Sequence, residues 1–518
     1  MKTASIFRTT LGVGDRVALR CGAIARTFSE LERRSNQLAH GLVRKGLEPY
    51  ERLAIICRNS VECVETVIAA RKAGLRATII SPTIGPRDME AALRRCDPRA
   101  IVANQLSAAD IAGRIESLDV RISVGSTGDF EDYESILSRE TSEPVVGRAP
   151  GIAMPLTSGT TGVPKAVYRK HPYVPPYLRQ LLAVTAFNGA TDLAMVPCGL
   201  QSSGVYNLGV GLPLQAGVGV IVSDILLTLD VDAEEVLRTI DRERVTHLYL
   251  PNFVMRQLFS LPETTRRSYD LSSLKCVLHG GTAFPASLKA QLIDWLGPIV
   301  IEFYAGAEGG GTLITSDEWQ RHRGSVGRPA DGLVRILASD FSETSRGSTG
   351  QIYFHSPRHQ QFEYFNDPAA TSATYHGDYF TLGDLGHLDE DGYLYITGRN
   401  SDVIDLSGSN VFPAEIDAVL LEHEAIAACA AVGLTDDVMG EVVGAVVVLR
   451  DGYTPSTAFT EDLLAWCRTR LTFKSPRRLV YSDHIPGFSR GKVNRRALRD
   501  LFRERKSEAS HDGNAFQA

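Results

Sequence analysis

Short apolar runs alternate with amphipathic segments over the first hundred residues, and this alternation limits the folds open to the chain. Residues 28–48 and 60–74 space their apolar side chains at helical intervals, whereas 51–59, 75–82 and 99–104 include short apolar runs. The spacing predicts helices for the first two segments and buried strands for the other three. Because parallel strands need long crossover connections, usually helices, the pattern predicts an α/β fold with a parallel sheet.

The pattern of predicted helices and strands changes at two points further along the chain. Beyond about residue 325, short β-like runs predominate, and a DEDG sequence among them is typical of a hairpin turn. After Asp402, helical and strand-like segments form a compact set. We therefore predict a large N-terminal domain of α/β subdomains plus a β-rich subdomain over 1–401, a small α+β C-terminal domain over 402–505, and a flexible tail over 506–518.

The composition excludes several classes of protein. Of the 518 residues, 43% are hydrophobic and 22% are charged, which is ordinary for a globular enzyme and unlike a disordered chain. The net charge of −6 gives no overall attraction to nucleic acid. No apolar stretch is long enough to span a membrane, no signal-peptide core is visible, and the eight cysteines form no C-x-x-C pair. We expect a cytoplasmic protein with reduced, buried cysteines, no membrane span and no nucleic-acid partner.

A loop dense in glycine, serine and threonine follows the apolar run at 152–156. It reads TSGTTGVPK from Thr157 to Lys165. Many backbone N–H groups and hydroxyls, with little side-chain bulk, suit a cradle for phosphate oxygens. The loop does not fit the G-x-x-x-x-G-K-[ST] pattern of a P-loop. On composition alone, a phosphate cradle and a flexible surface loop are equally good interpretations.

Shorter motifs follow in the second half of the chain. The run from Tyr304 to Glu308 offers an aromatic face for a base and a hard carboxylate suited to Mg²⁺. In Gly383-Asp384, followed by Gly398-Arg399, the carboxylate has two oxygens that can each accept a hydrogen bond from a hydroxyl. In Gly491-Lys492, a compact ammonium can enter a crowded phosphate site. Taken singly, each also has a structural explanation as a strand end, a turn or a basic surface loop.

Together these motifs resemble, in sequence and in order, those of the superfamily of adenylate-forming enzymes. That superfamily includes acyl- and aryl-CoA ligases, nonribosomal-peptide adenylation domains and firefly luciferase. The resemblance covers about residues 15 to 500, and the chain is most similar to stand-alone acyl- or aryl-CoA ligases. It implies a large AMP-binding domain followed by a small, mobile lid domain.

The resemblance implies a role for each matching residue. Lys492 would stabilise charge at the α-phosphate, Glu308 and Thr161 would hold Mg²⁺, and Asp402 would be the hinge of the lid domain. The remaining residues fall into three sets: Ser407 and Gly408 in the thiol tunnel; Gln201, Ser202, Gly204, His279 and Gly280 in the acyl pocket; and Thr157, Ser158, Gly159, Thr160, Thr161, Gly162, Lys165, Gly281, Tyr304, Ala305, Ala307, Asp384 and Arg399 at ATP or AMP.

The chain departs from the family pattern in three places. Ala305 and Ala307 replace the Gly and Thr of the usual Y-G-x-T-E, and Gln201 is the nearest polar residue where relatives carry a His. The run D-L-S-G-S-N, which begins at Asp405, stands where many relatives have K-S-G-G-E-N. His279 is equally well explained as a packed residue at a strand end.

The implied reaction joins a small carboxylic acid to ATP, with Mg²⁺ as cofactor, and releases pyrophosphate. The acyl-adenylate then passes its acyl group to coenzyme A. A carrier protein or an amine as acceptor, a degenerate nucleotide-binding protein and a luciferase-like oxygenase remain as alternatives. Several small residues around the expected acyl pocket predict a roomy site and a bulky aryl or polycyclic acid. Both a monomer and a homodimer are compatible with the sequence.

Overall fold

The chain divides into two compact units in the computed structural model. Unit 1 comprises Met1–Arg321 and His355–Phe380, and unit 2 comprises His322–Phe354 and Thr381–Ala518. The structure describes residues 14–104, 115–125, 130–157, 164–224, 231–282, 284–406, 409–436, 440–485 and 493–511.

The strands of the described residues are numbered in chain order. They are β1 (Val17–Cys21), β2 (Ile24–Thr27), β3 (Arg52–Ile56), β4 (Arg76–Ile79), β5 (Ala100–Ala103), β6 (Val120–Ser123), β7 (Glu131–Asp132), β8 (Leu156–Thr157), β9 (Lys165–Arg169), β10 (Leu193–Val196), β11 (Gly219–Val222), β12 (His247–Tyr249), β13 (Cys276–Gly280), β14 (Val300–Gly306), β15 (Gly309–Ile314), β16 (Ser325–Gly327), β17 (Val334–Leu337), β18 (Gly350–His355), β19 (Phe362–Tyr364), β20 (Tyr375–His376), β21 (Tyr379–Leu388), β22 (Leu394–Arg399), β23 (Ile404–Leu406), β24 (Ser409–Val411), β25 (Ile426–Asp436), β26 (Gly440–Leu449) and β27 (Arg478–Tyr481).

The α-helices are numbered in the same way, and short 3₁₀ turns occur at Arg358–Gln360, Asn400–Asp402 and Thr472–Lys474, with a π-helical segment at Val205–Gly211. The helices are α1 (Phe28–Arg44), α2 (Val61–Lys72), α3 (Pro86–Cys96), α4 (Tyr133–Arg139), α5 (Leu178–Thr185), α6 (Leu212–Gln215), α7 (Ala233–Glu243), α8 (Asn252–Ser260), α9 (Glu263–Arg267), α10 (Ala286–Leu296), α11 (Ser316–Arg321), α12 (Pro368–Thr374), α13 (Pro413–Leu420), α14 (Thr457–Leu471) and α15 (Arg495–His511).

The first sheet of unit 1 confirms the predicted strand–helix alternation. Its strand order is β4-β3-β5-β6-β7, and every neighbouring pair is parallel. The helices start where the sequence supplies caps. Thr27 and Glu30 form a reciprocal capping box on α1, and the Ser60 side chain accepts a hydrogen bond from the Cys63 N–H at the start of α2.

The second sheet of unit 1 has eight strands in the order β15-β14-β13-β12-β10-β11-β1-β2. Its inner pairs are parallel, and only the outermost pair at each edge is antiparallel. In its register, His279 lies beside Glu302 and Gly280 beside Phe303. Because parallel strands end at the same edge, the sheet brings the residues after β13 next to those after β14.

A small antiparallel sheet of unit 1 carries both ends of the glycine-rich loop. Its strand order is β19-β9-β8, and Thr157 pairs directly with Lys165. The loop therefore leaves and re-enters the sheet at facing residues. Residues 158–163 lie outside the described residues.

Unit 2 contains a largely antiparallel sheet, β16-β22-β21-β18-β17, and a second sheet, β24-β23-β26-β25, to which β27 adds in parallel. The core of the second sheet includes Ile404, Ile416 and Leu463. The predicted domain boundary at 401/402 falls at the 3₁₀ turn between β22 and β23, and it stays a prediction. Helix α15 extends to His511, into the segment predicted as a tail.

Two further expectations can be compared with the structure. All eight cysteines are free and buried, which confirms the expected burial, and their reduced state stays a prediction. Burial raises the pKa of the Cys21 thiol to about 12, so that side chain is not a nucleophile at neutral pH. Within the part of the chain that is described, no helix has the length and apolar character needed to cross a membrane.

A buried ion pair joins α10 to β14. Lys289 is fully buried, and its Nζ lies 2.7 Å from Oε2 of Glu302, which is 5% exposed. The ammonium also lies 5.0 Å from the centroid of the Trp319 ring. Burial lowers the pKa of Lys289, while Glu302 opposes that shift. The pair fixes the helix against the strand that carries Tyr304.

We expect Glu302→Gln to destabilise the fold by about 3–5 kcal/mol, because a neutral amide leaves the buried Lys289 ammonium uncompensated. Urea denaturation measures the effect. The double variant Lys289→Met/Glu302→Leu is the control, and it should recover most of the loss because it removes both charges. A single variant as stable as the wild type would contradict the assignment.

Candidate active site

The glycine-rich loop ends beside an aromatic ring of a neighbouring strand. In the β9–β19 pair, Tyr364 lies opposite Val167, so its side chain shares a face with Lys165, two residues earlier on β9. The Lys165 Nζ lies 4.7 Å from the centroid of the Tyr364 ring. The loop residues predicted to bind phosphate, and Thr161 as a metal ligand, lie outside the described residues and stay predictions: Ser158, Gly159, Thr160, Thr161 and Gly162.

Glu308 occupies a tight turn at the end of the eight-stranded sheet. Gly306 pairs with Gly309 across β14 and β15, so Ala307 and Glu308 form the whole connection. The Glu308 carboxylate is buried, and its Oε1 accepts a hydrogen bond of 2.8 Å from the Tyr364 hydroxyl. Among the described residues, no Lys, Arg or His nitrogen lies within 4.0 Å of this carboxylate. A buried anion with one neutral donor is a good ligand for a cation.

Arg169 holds the backbone of this turn. Its Nη2 donates to the carbonyl of Glu308, and its Nη1 donates to the carbonyl of Gln360 at 2.5 Å. The guanidinium also lies 4.2 Å from the Tyr173 ring centroid, and the Tyr173 hydroxyl accepts a hydrogen bond from the Gly310 N–H. Arg169, Tyr173 and Tyr364 were not predicted from the sequence, because nothing local to them indicates contacts with a turn 56 to 139 residues away in the chain.

Two of the three glycines after Glu308, Gly309 and Gly311, are required by packing. Gly311 has φ +114°, and a Cβ there would lie 2.3 Å from the Tyr304 carbonyl oxygen. A Cβ on Gly309, which has φ +110°, would lie 2.8 Å from the Tyr173 ring. Because glycine has no Cβ, β15 can approach the neighbouring rings this closely. Gly309 and Gly311 therefore reflect close approach of the chain, so these small residues do not by themselves indicate an open pocket.

Aromatic rings occupy the space beside several of the small residues assigned to the acyl pocket. A Cβ on Gly280 would lie 2.3 Å from the Phe303 ring, and one on Gly204 would lie 3.5 Å from it. The Tyr249 hydroxyl donates to the Gly280 carbonyl at 3.3 Å, and the Tyr177 and Phe303 rings stack at 5.9 Å. The small residues thus make room for a wall of Phe303, Tyr249 and Tyr177. In the sequence, a glycine on one strand and an aromatic residue on the next strand could have predicted such an aromatic wall.

The other predicted pocket residues are distributed around these rings. His279 is fully buried, its Nδ1 lies 2.8 Å from the Leu250 carbonyl oxygen, and its Nε2 lies 3.2 Å from that of Thr282. Burial lowers the pKa of His279, and the Glu302 charge and the two backbone carbonyls oppose the shift. Both nitrogens face backbone carbonyls, which favours the interpretation of a packed residue. Gln201 folds over Gly199, and Ser202, Gly281, Tyr304 and Ala305 are partly exposed or exposed.

In unit 2, the two residues predicted to contact the ribose lie opposite each other. Asp384 pairs with Arg399 across β21 and β22, and the Arg399 Nε lies 3.1 Å from Oδ1 of Asp384. Asp384 is 6% exposed. Gly383, with φ +80°, shapes the strand just before it. The pairing unites two motifs that are separated in sequence, and their contact with a nucleotide stays a prediction.

The predicted hinge is tied to the C-terminal helix α15. The Arg495 guanidinium contacts Oδ2 of Asp402 at 3.2 Å and Oδ2 of Asp417 at 3.0 Å, and its Nε donates to the Ala431 carbonyl. Burial raises the pKa of Asp417 to about 7, with Arg495 opposing the shift. Sequence analysis missed Arg495 and Asp417. The predicted residues Ser407, Gly408 and Lys492 lie outside the described residues.

We expect stability to depend on pH through Asp417. Its pKa is about 7 in the folded chain and near 3.8 in the unfolded chain. Between these values the folded state holds a proton that the unfolded state has lost, so the free energy of unfolding falls as pH rises from 4 to 7. The test is urea denaturation from pH 5 to 8: the wild type should gain stability at low pH relative to Asp417→Asn. A difference independent of pH would contradict the assignment.

Comparisons with known proteins agree with the fold and the motifs. The family described as AMP-binding enzyme matches residues 7–362, and the AMP-binding enzyme C-terminal domain matches residues 415–492. A putative acyl-CoA ligase, YdaB, of Bacillus subtilis (strain 168) is 27% identical over 93% of this chain and 95% of its own length. A feruloyl-CoA synthase of Amycolatopsis sp is 28% identical over 94% of this chain and 96% of its own length.

A solved structure is similar over the same extent. The amide bond synthetase McbA from Marinactinospora thermotolerans has a TM-score of 0.80 and 27% identity, covering 95% of this chain and 97% of that one. The family match spans more than half of the chain. The chain therefore belongs to the AMP-binding enzymes of the adenylate-forming superfamily.

Proposed function

We propose that this protein is an AMP-forming acid–CoA ligase. A carboxylate oxygen of the acid attacks the α-phosphorus of ATP, the bond to the bridging oxygen breaks, and pyrophosphate leaves. The thiolate of coenzyme A then attacks the acyl carbonyl, and AMP leaves. The observation that carries the proposal is the convergence of the phosphate-loop residue Lys165 and the buried carboxylate of Glu308 on Tyr364; this carboxylate has no ion-pair partner among the described residues.

Each predicted site residue would have a separate role in forming the acyl-adenylate. Lys165 and the loop before it would bind the phosphates that leave, and Lys492 would stabilise charge at the α-phosphorus. Glu308 would hold Mg²⁺, with Thr161 as the second predicted ligand, and the metal would neutralise phosphate charge. Asp384 and Arg399 would hold the ribose, and Tyr304, Ala305, Ala307 and Gly281 would lie at the adenine and α-phosphate.

The proposal also specifies the acceptor, coenzyme A, and the class of acid, an aryl acid. Coenzyme A is supported by the relatives named as CoA ligases. An aryl acid is supported by the aromatic wall of Phe303, Tyr249 and Tyr177, because rings stack favourably on rings, and by the similarity to a feruloyl-CoA synthase. Amide formation with an amine is a second candidate, supported by the similarity to McbA. Transfer to a carrier protein is the remaining alternative.

The function is tested by ATP–pyrophosphate exchange with a panel of acids, followed by AMP release with coenzyme A, amines or a carrier protein. We expect aryl acids to support exchange better than short linear acids, and free coenzyme A to stimulate AMP release. Lys492→Ala should abolish exchange yet convert a supplied acyl-adenylate to the thioester. Preference for short acids would refute the aryl substrate, and stimulation by amines alone would favour the second candidate.

The ribose assignment gives a separate prediction. Asp384→Ala should raise the apparent KM for ATP about ten-fold or more, because it removes the acceptor for the ribose hydroxyls and leaves Arg399 without its ion pair. Steady-state kinetics measure the change. Asp378→Ala is the matched control, since that aspartate is half exposed and pairs with Arg358 at the surface. An unchanged KM in the Asp384 variant would show that the assignment is wrong.

A further inference from the structure

We infer that Tyr364 is a positioning residue for adenylation: its hydroxyl orients the Glu308 carboxylate for a divalent cation, and its ring supports Lys165. The inference rests on the proposed function, because the cation is the one that accompanies ATP. Tyr364 belongs to none of the motifs that identified the site, and it reaches the site from the β19 strand.

The strand register explains how Tyr364 reaches both partners. Phe362 lies opposite Arg169 and Tyr364 opposite Val167, so the pair β9–β19 presents Lys165 and Arg169 on one face with Tyr364 and Phe362. Each cation lies near a ring: Lys165 is 4.7 Å from the Tyr364 centroid, and Arg169 is 5.3 Å from that of Phe362. The ring of Tyr364 thus contacts the lysine while its hydroxyl, at the far end, reaches Glu308.

The hydroxyl acts on the Glu308 side chain and leaves its backbone to other residues. Arg169 donates to the Glu308 carbonyl, and the Tyr173 hydroxyl accepts from the Gly310 N–H at 2.9 Å. These contacts hold the turn without Tyr364. The bond from Tyr364 occupies Oε1 of Glu308. It therefore fixes the orientation of the carboxylate and leaves Oε2 as the oxygen for the cation.

Charge supports a role beyond packing. Tyr364 and Glu308 are both buried, at 7% and 8% exposed. A phenol is protonated at neutral pH, so the Tyr364 hydroxyl is the donor in its 2.8 Å hydrogen bond to Oε1 of Glu308. The Arg169 guanidinium bonds the Glu308 backbone carbonyl, but no Lys, Arg or His nitrogen of the described residues lies within 4.0 Å of the carboxylate, so its charge is only partly compensated. A bound divalent cation supplies the missing charge.

Tyr364→Phe isolates the hydroxyl, because the ring and its packing against Phe362 at 5.3 Å remain. Binding of Mn²⁺ is followed by the electron paramagnetic resonance signal of free Mn²⁺, with the full chain and the non-cleavable analogue α,β-methylene-ATP. We expect the variant to bind Mn²⁺ about ten-fold more weakly, since a hydrogen bond to a charged group is lost. The half-saturating Mg²⁺ concentration in pyrophosphate exchange should rise similarly, with kcat at saturating Mg²⁺ largely retained.

Tyr168→Phe is the matched control, because it removes a hydroxyl from the adjacent strand, where the ring packs on Phe365 at 5.9 Å. It should bind Mn²⁺ as the wild type does. Glu308→Gln provides a second measurement: if Tyr364 acts through Glu308, adding Tyr364→Phe to it should weaken Mn²⁺ binding no further.

The outcomes separate this inference from the proposed function. Wild-type affinity in Tyr364→Phe, or full additivity with Glu308→Gln, would overturn the positioning role while leaving the adenylation proposal intact. A wild-type protein that binds no Mn²⁺ with the ATP analogue would overturn the proposed function, and this inference with it. The positioning role would be supported if Tyr364→Phe binds Mn²⁺ more weakly than the wild type and Tyr168→Phe binds it equally well.

Discussion

The guanidinium of Arg169 is the contact on which the candidate site depends. It reaches the carbonyls of Glu308 and Gln360 and lies against the rings of Tyr173 and Phe362. Burial lowers its pKa, with Tyr173 opposing the shift, yet an arginine remains charged at neutral pH. One buried side chain therefore joins the small antiparallel sheet that carries the glycine-rich loop to the turn that carries the acidic residue.

Two buried carboxylates, six residues apart in the β14–β15 hairpin, differ in how their charges are compensated. Glu302 lies on β14 and is neutralised by Lys289 at 2.7 Å. Glu308 lies in the following turn and has the Tyr364 hydroxyl as a partner, with no cation within ion-pair distance among the described residues. The first arrangement is complete within the fold. The second would be completed by the proposed divalent cation, and this difference in compensation supports a functional role for Glu308.

Much of the fold and part of the site could be predicted from the sequence. Helical spacing and short apolar runs determine local structure, so the parallel α/β architecture follows from residues 28–104. Asp384 and Arg399 were identified by motif and lie directly opposite each other. The aromatic wall was not predictable in the same way: Gly280 suggested empty space, but the register places Phe303 over it. A small residue does not reveal whether a ligand or a ring fills the space beside it.

The sequence by itself determined the α/β class, the order of the motifs and the family, because these depend on residue spacing along the chain. The tertiary structure decided which side chains complete the site. Tyr364, Arg169 and Arg495 become partners of Glu308 and Asp402 through strand register and helix packing over separations of 56, 139 and 93 residues. Hydrogen bonds and charge compensation act over a few ångströms in space, and distance along the chain does not limit them.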